Sequence, residues 1–131
     1  MKRQKKRLAE VELEVMKSIW SFGKPVTVRQ VLEHLYPNRE KAYTTVQTIM
    51  NILAEKGFLR KDKVGMVNFY FPTISETDFA EQETHNLVSK IFHGSFGALA
   101  NYLVDSGELS SEELNQLKAL IESREKSGGQ S

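Results

Sequence analysis

The order of hydrophobic periodicities along the 131-residue chain predicts a mainly α fold class with one small β-hairpin. Apolar residues recur at spacings of three and four up to residue 57, alternate with polar residues over residues 58–71, and return to helical spacing from residue 75. Three helices followed by a hairpin wing is the element order of a winged helix-turn-helix domain. We therefore predict that such a domain covers residues 1–73 and that a helical dimerisation domain covers residues 74–131.

The chain opens with the basic segment MKRQKKR, in which five of seven residues are Lys or Arg. The segment has no apolar periodicity, so residues 1–7 are predicted to form a mobile arm. Such an arm can lie along DNA phosphates or reach into a minor groove, or it can act only as a solubilising terminus. The first helix follows over about residues 9–22, and Gly23 and Pro25 end it.

A capping-box pattern, Thr27 with Gln30, predicts the start of a short second helix that runs to about Tyr36. Only the turn at residues 37–40 separates it from a third helix over residues 41–57. Two helices joined by so short a turn are typical of a helix-turn-helix motif.

The third helix carries an apolar stripe and, opposite it, a stripe of short neutral polar side chains. The apolar stripe contains Val46, Ile49, Met50 and Leu53, and the polar stripe contains Thr44, Gln47, Thr48 and Asn51. Thr and Asn form helix less well than the Lys and Glu of a usual solvated face, by roughly a few tenths of a kcal/mol each. Such side chains suit contacts with base edges in DNA, although a solvated face rich in Thr is the alternative. We predict that bases are read by Thr44, Thr45, Gln47 and Thr48.

Apolar and polar residues alternate over residues 58–71 on both sides of Gly65. This pattern predicts two strands joined by a turn, the hairpin wing, whose first strand is basic. A wing that only stabilises the domain is the alternative to one that contacts DNA. Contacts with phosphates would set the register on the duplex and most of the salt dependence, without choosing sequence. The residues predicted to make them are Arg29, Lys41, Tyr43, Arg60, Lys61 and Lys63.

The formal net charge of +1 conceals an asymmetry between the two parts of the chain. Residues 1–72 contain 14 Lys or Arg and 7 Asp or Glu, whereas residues 73–131 contain 4 and 10. The first part is therefore suited to a polyanion and the second is not.

The absence of cysteine excludes disulfides, thiol catalysis and thiolate metal sites. The three histidines, His34, His85 and His93, form no pattern of nucleophile, base and orienting residue, so we predict no enzyme activity and no cofactor. His85 follows Glu81 by four residues, which is more typical of a solvated helix face than of a metal site. No apolar run approaches the roughly 20 residues that span a bilayer, and no signal-peptide pattern is present. We therefore expect a soluble, cytoplasmic protein.

After residue 73 the chain shows helical periodicity over about residues 75–92, 95–106 and 110–125, and residues 127–131 are predicted to be a disordered tail. Three short helices have limited volume to bury the apolar side chains that this acidic segment displays. We predict that a second copy of the chain covers them. The predicted dimerisation residues are Phe79, Leu87, Ile91, Phe92, Leu99, Tyr102, Leu103, Leu117, Leu120 and Ile121.

Segments from both parts of the chain resemble the penicillinase-repressor family. They are LEVMKSIW at residues 13–20, PVT at 25–27, AYTTVQTIMN at 42–51, EKG at 55–57 and IFHGSFGAL at 91–99. These motifs occur in the family's order and spacing. The resemblance implies a homodimeric winged-helix repressor that binds a palindromic operator in double-stranded bacterial DNA and controls antibiotic resistance.

The resemblance also implies release of the operator by a regulatory protease that cuts within the dimerisation region when a membrane sensor detects a β-lactam. By position the cut falls near Tyr102-Leu103, where the best-known members have Asn-Phe. A copper-responsive branch of the family carries paired cysteines near its C-terminus, and the lack of cysteine here excludes that route.

A winged helix that binds or assembles with another protein is the alternative function. It predicts no steeply salt-dependent affinity for duplex DNA. The positive charge of residues 1–72 favours DNA as the partner.

Overall fold

The protein is described over residues 7–128 of a computed structural model. The chain divides into two units, one that ends at Glu81 and one that begins at Gln82. Most of the predicted basic arm and of the predicted tail lies outside the described residues. The helices are α1 (Glu10–Phe22), α2 (Val28–Leu35), α3 (Tyr43–Glu55), α4 (Glu76–Ile91), α5 (Phe96–Asp105) and α6 (Ser111–Ser127), and the strands are β1 (Leu59–Val64) and β2 (Val67–Pro72). The predicted mainly α class with one hairpin is confirmed.

The core of the first unit forms between α1, α2, α3 and the base of the hairpin. Helix α3 contributes the whole apolar stripe predicted for it, and all four of its members are buried. Burying a side chain of this size stabilises the fold by roughly 1.5–3 kcal/mol. The fully buried side chains of the core include Val15, Met16, Ile19, Val26, Val31, Val46, Met50, Leu53 and Tyr70.

The predicted capping box fixes the start of α2. The Thr27 hydroxyl accepts a hydrogen bond from the backbone N–H of Gln30 at 3.2 Å, and the backbone N–H of Thr27 donates to Gln30 Oε1 at 2.9 Å. This reciprocal pair satisfies two backbone donors at the helix N-terminus. It thereby defines where the helix-turn-helix begins.

The wing is an antiparallel hairpin in which Lys61 lies opposite Tyr70. Gly65 turns the chain with φ of +63°, a conformation that strains residues with a side chain. Tyr70 also pairs with Val26 through two backbone hydrogen bonds of 2.7 and 2.9 Å. This short bridge joins the base of the wing to the segment that leads into α2.

The second unit consists of the rest of α4 together with α5 and α6. Ser110 and Glu113 form the predicted capping box of α6, with hydrogen bonds of 2.9 and 3.0 Å. Ser95 caps α5 by accepting from the Ala98 amide at 3.0 Å. Within residues 7–128, no helix combines the length and the apolar composition that crossing a membrane requires.

An ion pair joins the start of α1 to the end of α3. Lys56 Nζ donates to Glu12 Oε1 at 2.6 Å, and the Ala9 amide donates to the same oxygen at 2.9 Å. Burial raises the pKa of Glu12, but the hydrogen bonds from Lys56 and Ala9 and the charge of Lys56 outweigh it. The pKa of Glu12 therefore lies below its ordinary value.

We expect Glu12→Gln to lower the free energy of unfolding at pH 7 by about 1–3 kcal/mol, because a charged hydrogen-bonded pair is lost. Because the pKa of Glu12 is lower in the folded than in the unfolded protein, its charge stabilises the fold at pH values above the unfolded pKa of about 4.3. This contribution is lost as the pH falls through the pKa of the folded state. The difference in stability between wild type and variant should therefore shrink below about pH 4. Urea unfolding across this pH range measures it.

Glu10→Gln is the matched control, because Glu10 lies in the same first turn but is exposed. It should change stability by less than about 0.5 kcal/mol. Equal effects of the two substitutions at pH 7 would contradict this account of Glu12.

Candidate nucleic-acid interface

The base-reading residues predicted on α3 lie together in its first two turns. Thr44, Thr45 and Thr48 are exposed, and Gln47 is half-buried. They face outward because the opposite stripe of α3 is buried in the core. The N-terminal part of a recognition helix is the part that usually contacts base edges in the major groove. The structure therefore brings these four residues onto one accessible surface.

Asn51, the last member of the polar stripe, is engaged within the protein. Its Oδ1 accepts hydrogen bonds from the Tyr70 hydroxyl at 2.8 Å and from Lys61 Nζ at 3.1 Å. Residue spacing placed Asn51 on the stripe but gave no sign of these partners, since Tyr70 is 19 residues away. The stripe that is open to another molecule therefore ends at Thr48.

A cleft of about 280 Å³ lies between α3, the start of α2 and the tip of the wing. Within it, Arg29 Cζ lies 5.3 Å from the centroid of the Tyr43 ring, a cation–π arrangement. Gln47 lines the same cleft. The full lining is Thr27, Val28, Arg29, Tyr43, Gln47, Met66, Val67 and Asn68. The cleft thus joins one predicted base-reading residue to two predicted phosphate contacts and to the wing.

The other predicted phosphate contacts lie at the surface in different settings. Lys41 Nζ is 5.4 Å from the centroid of the Tyr36 ring. Arg60 stacks its guanidinium 4.1 Å from the Phe71 ring centroid and lies 3.6 Å from the Asp62 carboxylate. Exposed ion pairs of this kind contribute little stability, so Arg60 can exchange partners readily.

Two phenol groups beside these cations stay protonated at neutral pH. Burial, and then the hydrogen bond to Glu14, raise the pKa of Tyr36 to about 12. Burial, and then the proximity of Tyr43, raise the pKa of Tyr70. Each hydroxyl is therefore a donor, at 2.8 Å from Glu14 Oε1 and from Asn51 Oδ1 respectively.

The tip of the wing exposes apolar side chains that the sequence patterns did not single out. Met66 is 90% exposed and Val64 is 63% exposed. Both flank Gly65, whose turn was predicted, so the exposed apolar tip follows directly from the hairpin register.

The predicted dimerisation residues lie in three different settings. Phe79 belongs to the first unit, where its ring packs against Trp20 and Phe58, with centroids 5.5 and 6.1 Å apart. Phe92 and Leu99 are half-buried in the second unit. The remaining seven lie exposed in the second unit: Leu87, Ile91, Tyr102, Leu103, Leu117, Leu120 and Ile121.

Within residues 7–128, no group of three or more His, Asp or Glu side chains is arranged to hold a metal ion. The His85 ring instead packs edge-on against Phe96, with centroids 5.0 Å apart. His34 Nδ1 lies 2.7 Å from the hydroxyl of Ser18, which is itself buried.

The penicillinase repressor family model matches residues 8–123. The chain is 30% identical over 116 residues to the penicillinase repressor of Bacillus licheniformis, which covers 88% of this chain and 90% of that protein. It is 25% identical over 114 residues to the methicillin resistance regulatory protein MecI of Mammaliicoccus sciuri. That match covers 87% of this chain and 92% of MecI.

Among solved structures, the DNA binding domain of the repressor BlaI matches with a TM-score of 0.51 and 35% identity, over 60% of this chain and 93% of that one. This match confirms the predicted winged helix-turn-helix. Together with the family model and the B. licheniformis relative, it shows that the chain belongs to the penicillinase-repressor family.

Proposed function

We propose that this chain is a transcriptional repressor that binds duplex DNA sequence-specifically through α3 and the wing. The observation that carries the proposal is the exposed neutral polar stripe on α3, which lies within residues 1–72, where 14 Lys or Arg stand against 7 Asp or Glu. The matching solved domain is named as a DNA binding domain, and the relatives are named as regulators of penicillinase and of methicillin resistance. We propose that the target genes here likewise concern antibiotic resistance.

In this proposal, base edges in the major groove are read by the first two turns of α3. Thr side chains can contact a thymine methyl group or a base-edge acceptor, and Gln47 can form two hydrogen bonds with adenine. These contacts choose the sequence. The proposed base-reading residues are Thr44, Thr45, Gln47 and Thr48.

Phosphate contacts would come from both ends of this stripe. Arg29 and Tyr43 line the cleft at the start of α3, and Lys61 of β1 is hydrogen-bonded to Asn51 at the end of the stripe. Such contacts fix the orientation of the protein on the duplex and supply most of the salt dependence. The proposed set is Arg29, Lys41, Tyr43, Arg60, Lys61 and Lys63.

We propose that the second unit forms a homodimer. It exposes large apolar side chains on α4, α5 and α6, among them Leu120 at 63% and Ile121 at 57%. A surface of this kind is typical of an interface between copies. A two-fold dimer places two recognition helices on two half-sites, which is why the operator would be palindromic.

We also propose that a regulatory protease inactivates the repressor at Tyr102-Leu103. Both side chains are exposed, but both residues lie inside α5. Proteases bind extended chain, so α5 would have to open locally before it could be cut. Cleavage there would divide the helices that form the proposed dimer interface.

The proposed roles on α3 and the wing can be separated by Gln47→Ala and Lys61→Ala. Loss of a base contact should weaken binding to the preferred duplex by about 1–3 kcal/mol and relax the preference at one position. Loss of a phosphate contact should weaken binding to all duplexes alike. It should also make the slope of log K against log salt concentration less steep by about 0.9 per protomer. Fluorescence anisotropy, with a duplex selected from a random pool and with an unrelated duplex, measures both effects.

Lys17→Ala is the control for lost charge, since Lys17 is exposed on α1 and has no proposed DNA contact. It should bind like wild type. If wild type binds both duplexes equally, or binds neither with steep salt dependence, specific recognition is refuted and the protein-interaction alternative is favoured.

The dimer can be tested with the double variant Leu120→Glu/Ile121→Glu. Two buried charges at the interface should shift the protein to monomer at concentrations where wild type is a dimer, as measured by sedimentation velocity. Operator affinity should fall with it. The control Asn115→Glu adds a charge on the side of α6 turned away from Leu117 and Ile121, given 3.6 residues per turn, and should stay dimeric. A monomeric wild type would contradict the proposal.

A further inference from the structure

A tyrosine, an asparagine and a lysine form a hydrogen-bonded group between α3 and the wing. The carbonyl oxygen of the Asn51 side chain accepts from the Tyr70 hydroxyl at 2.8 Å and from Lys61 Nζ at 3.1 Å. Lys61 Nζ also lies 5.9 Å from the centroid of the Tyr70 ring. One side-chain amide therefore holds two donors that come from opposite strands of the wing.

Tyr70 is the fixed point of this group. Its side chain is fully buried, and its backbone amide and carbonyl are both bonded to Val26. The Tyr70 hydroxyl donates to the Asn51 carbonyl, and burial raises the pKa of this phenol further above its ordinary value. The direction of the Asn51 amide is thereby set by a group that cannot easily move.

Asn51 places Lys61 at the end of the proposed base-reading stripe. It follows Thr44 by seven residues and Thr48 by three, so it lies on the same stripe of α3. An ammonium has three N–H donors, and the Asn51 carbonyl uses one of them. Lys61 is exposed, so its remaining donors are open to another molecule.

We propose that Asn51 and Tyr70 are positioning residues that hold the Lys61 ammonium in place for a DNA phosphate beside the base-reading stripe. This inference rests on the proposed function. Ordering a long side chain opposes binding, so a lysine ordered in advance binds a phosphate more tightly than a free one. Lys63 offers the contrast: it lies two residues further along β1, where it pairs with Asn68, but its side chain makes no hydrogen bond or ion pair among residues 7–128.

Asn51→Ala tests the positioning role. Freeing Lys61 should weaken duplex binding about twofold to tenfold per protomer. The salt slope should stay at the wild-type value, because the lysine still reaches the phosphate. Lys61→Ala should instead flatten the slope by about 0.9 per protomer. The probes are the duplex selected by wild type from a random pool and an unrelated duplex.

The double variant Asn51→Ala/Tyr70→Phe separates positioning from stability. Asn51→Ala alone leaves a buried hydroxyl without its acceptor, so it should also lower the thermal midpoint. Replacing Tyr70 by Phe removes that hydroxyl, and the midpoint should return toward wild type. DNA affinity should remain as low as in Asn51→Ala, since Lys61 is still not held. Recovery of affinity together with stability would overturn the proposal.

Two further backgrounds identify the lysine involved. In Lys61→Ala, the Asn51→Ala substitution should cause no additional loss of affinity. In the Lys63→Ala background, Asn51→Ala should lower duplex affinity by the same factor as it does in wild type. An equal loss in both backgrounds would mean that Asn51 acts directly or through the fold, and would refute the positioning role. A wild type without salt-dependent duplex binding would instead refute the proposed function.

Discussion

Burial of one side of α3 determines which of its side chains can meet another molecule. Val46, Ile49, Met50 and Leu53 pack into the core formed with α1 and α2. A helix has one orientation that buries such a stripe, so the opposite stripe is turned outward. The Thr and Gln side chains of that stripe contribute little to the stability of the fold. Their exposure follows from packing on the other side of the same helix.

The surroundings of α3 hold its exposed stripe in a fixed relation to positive charge. The Val26–Tyr70 bridge attaches the base of the wing to the segment before α2, and the Tyr70 hydroxyl reaches α3 at Asn51. At the other end of the stripe, Arg29 lies over the ring of Tyr43, the first residue of α3. Cations therefore lie near both ends of the stripe, each beside an aromatic ring.

Features that depend on local sequence could be predicted, and features that depend on distant pairs could not. The capping box at Thr27 and the apolar stripe of α3 are encoded within a few residues, so periodicity and spacing identify them. Three contacts join residues that are far apart in the chain. They are the hydrogen bonds to Asn51, the ion pair between Glu12 and Lys56, and the packing of Phe79 on Trp20. Periodicity gives the side of a helix on which a residue lies, but not which distant side chain meets it.

Nuclear magnetic resonance can show whether the outward stripe of α3 is the surface that meets DNA bases. Isotope-labelled protein would be titrated with a duplex selected from a random pool and with an unrelated duplex. The changes in chemical shift should differ most between the two duplexes at Thr44, Thr45, Gln47 and Thr48. Equal changes with both duplexes at these four residues, or specific changes confined to other helices, would contradict it.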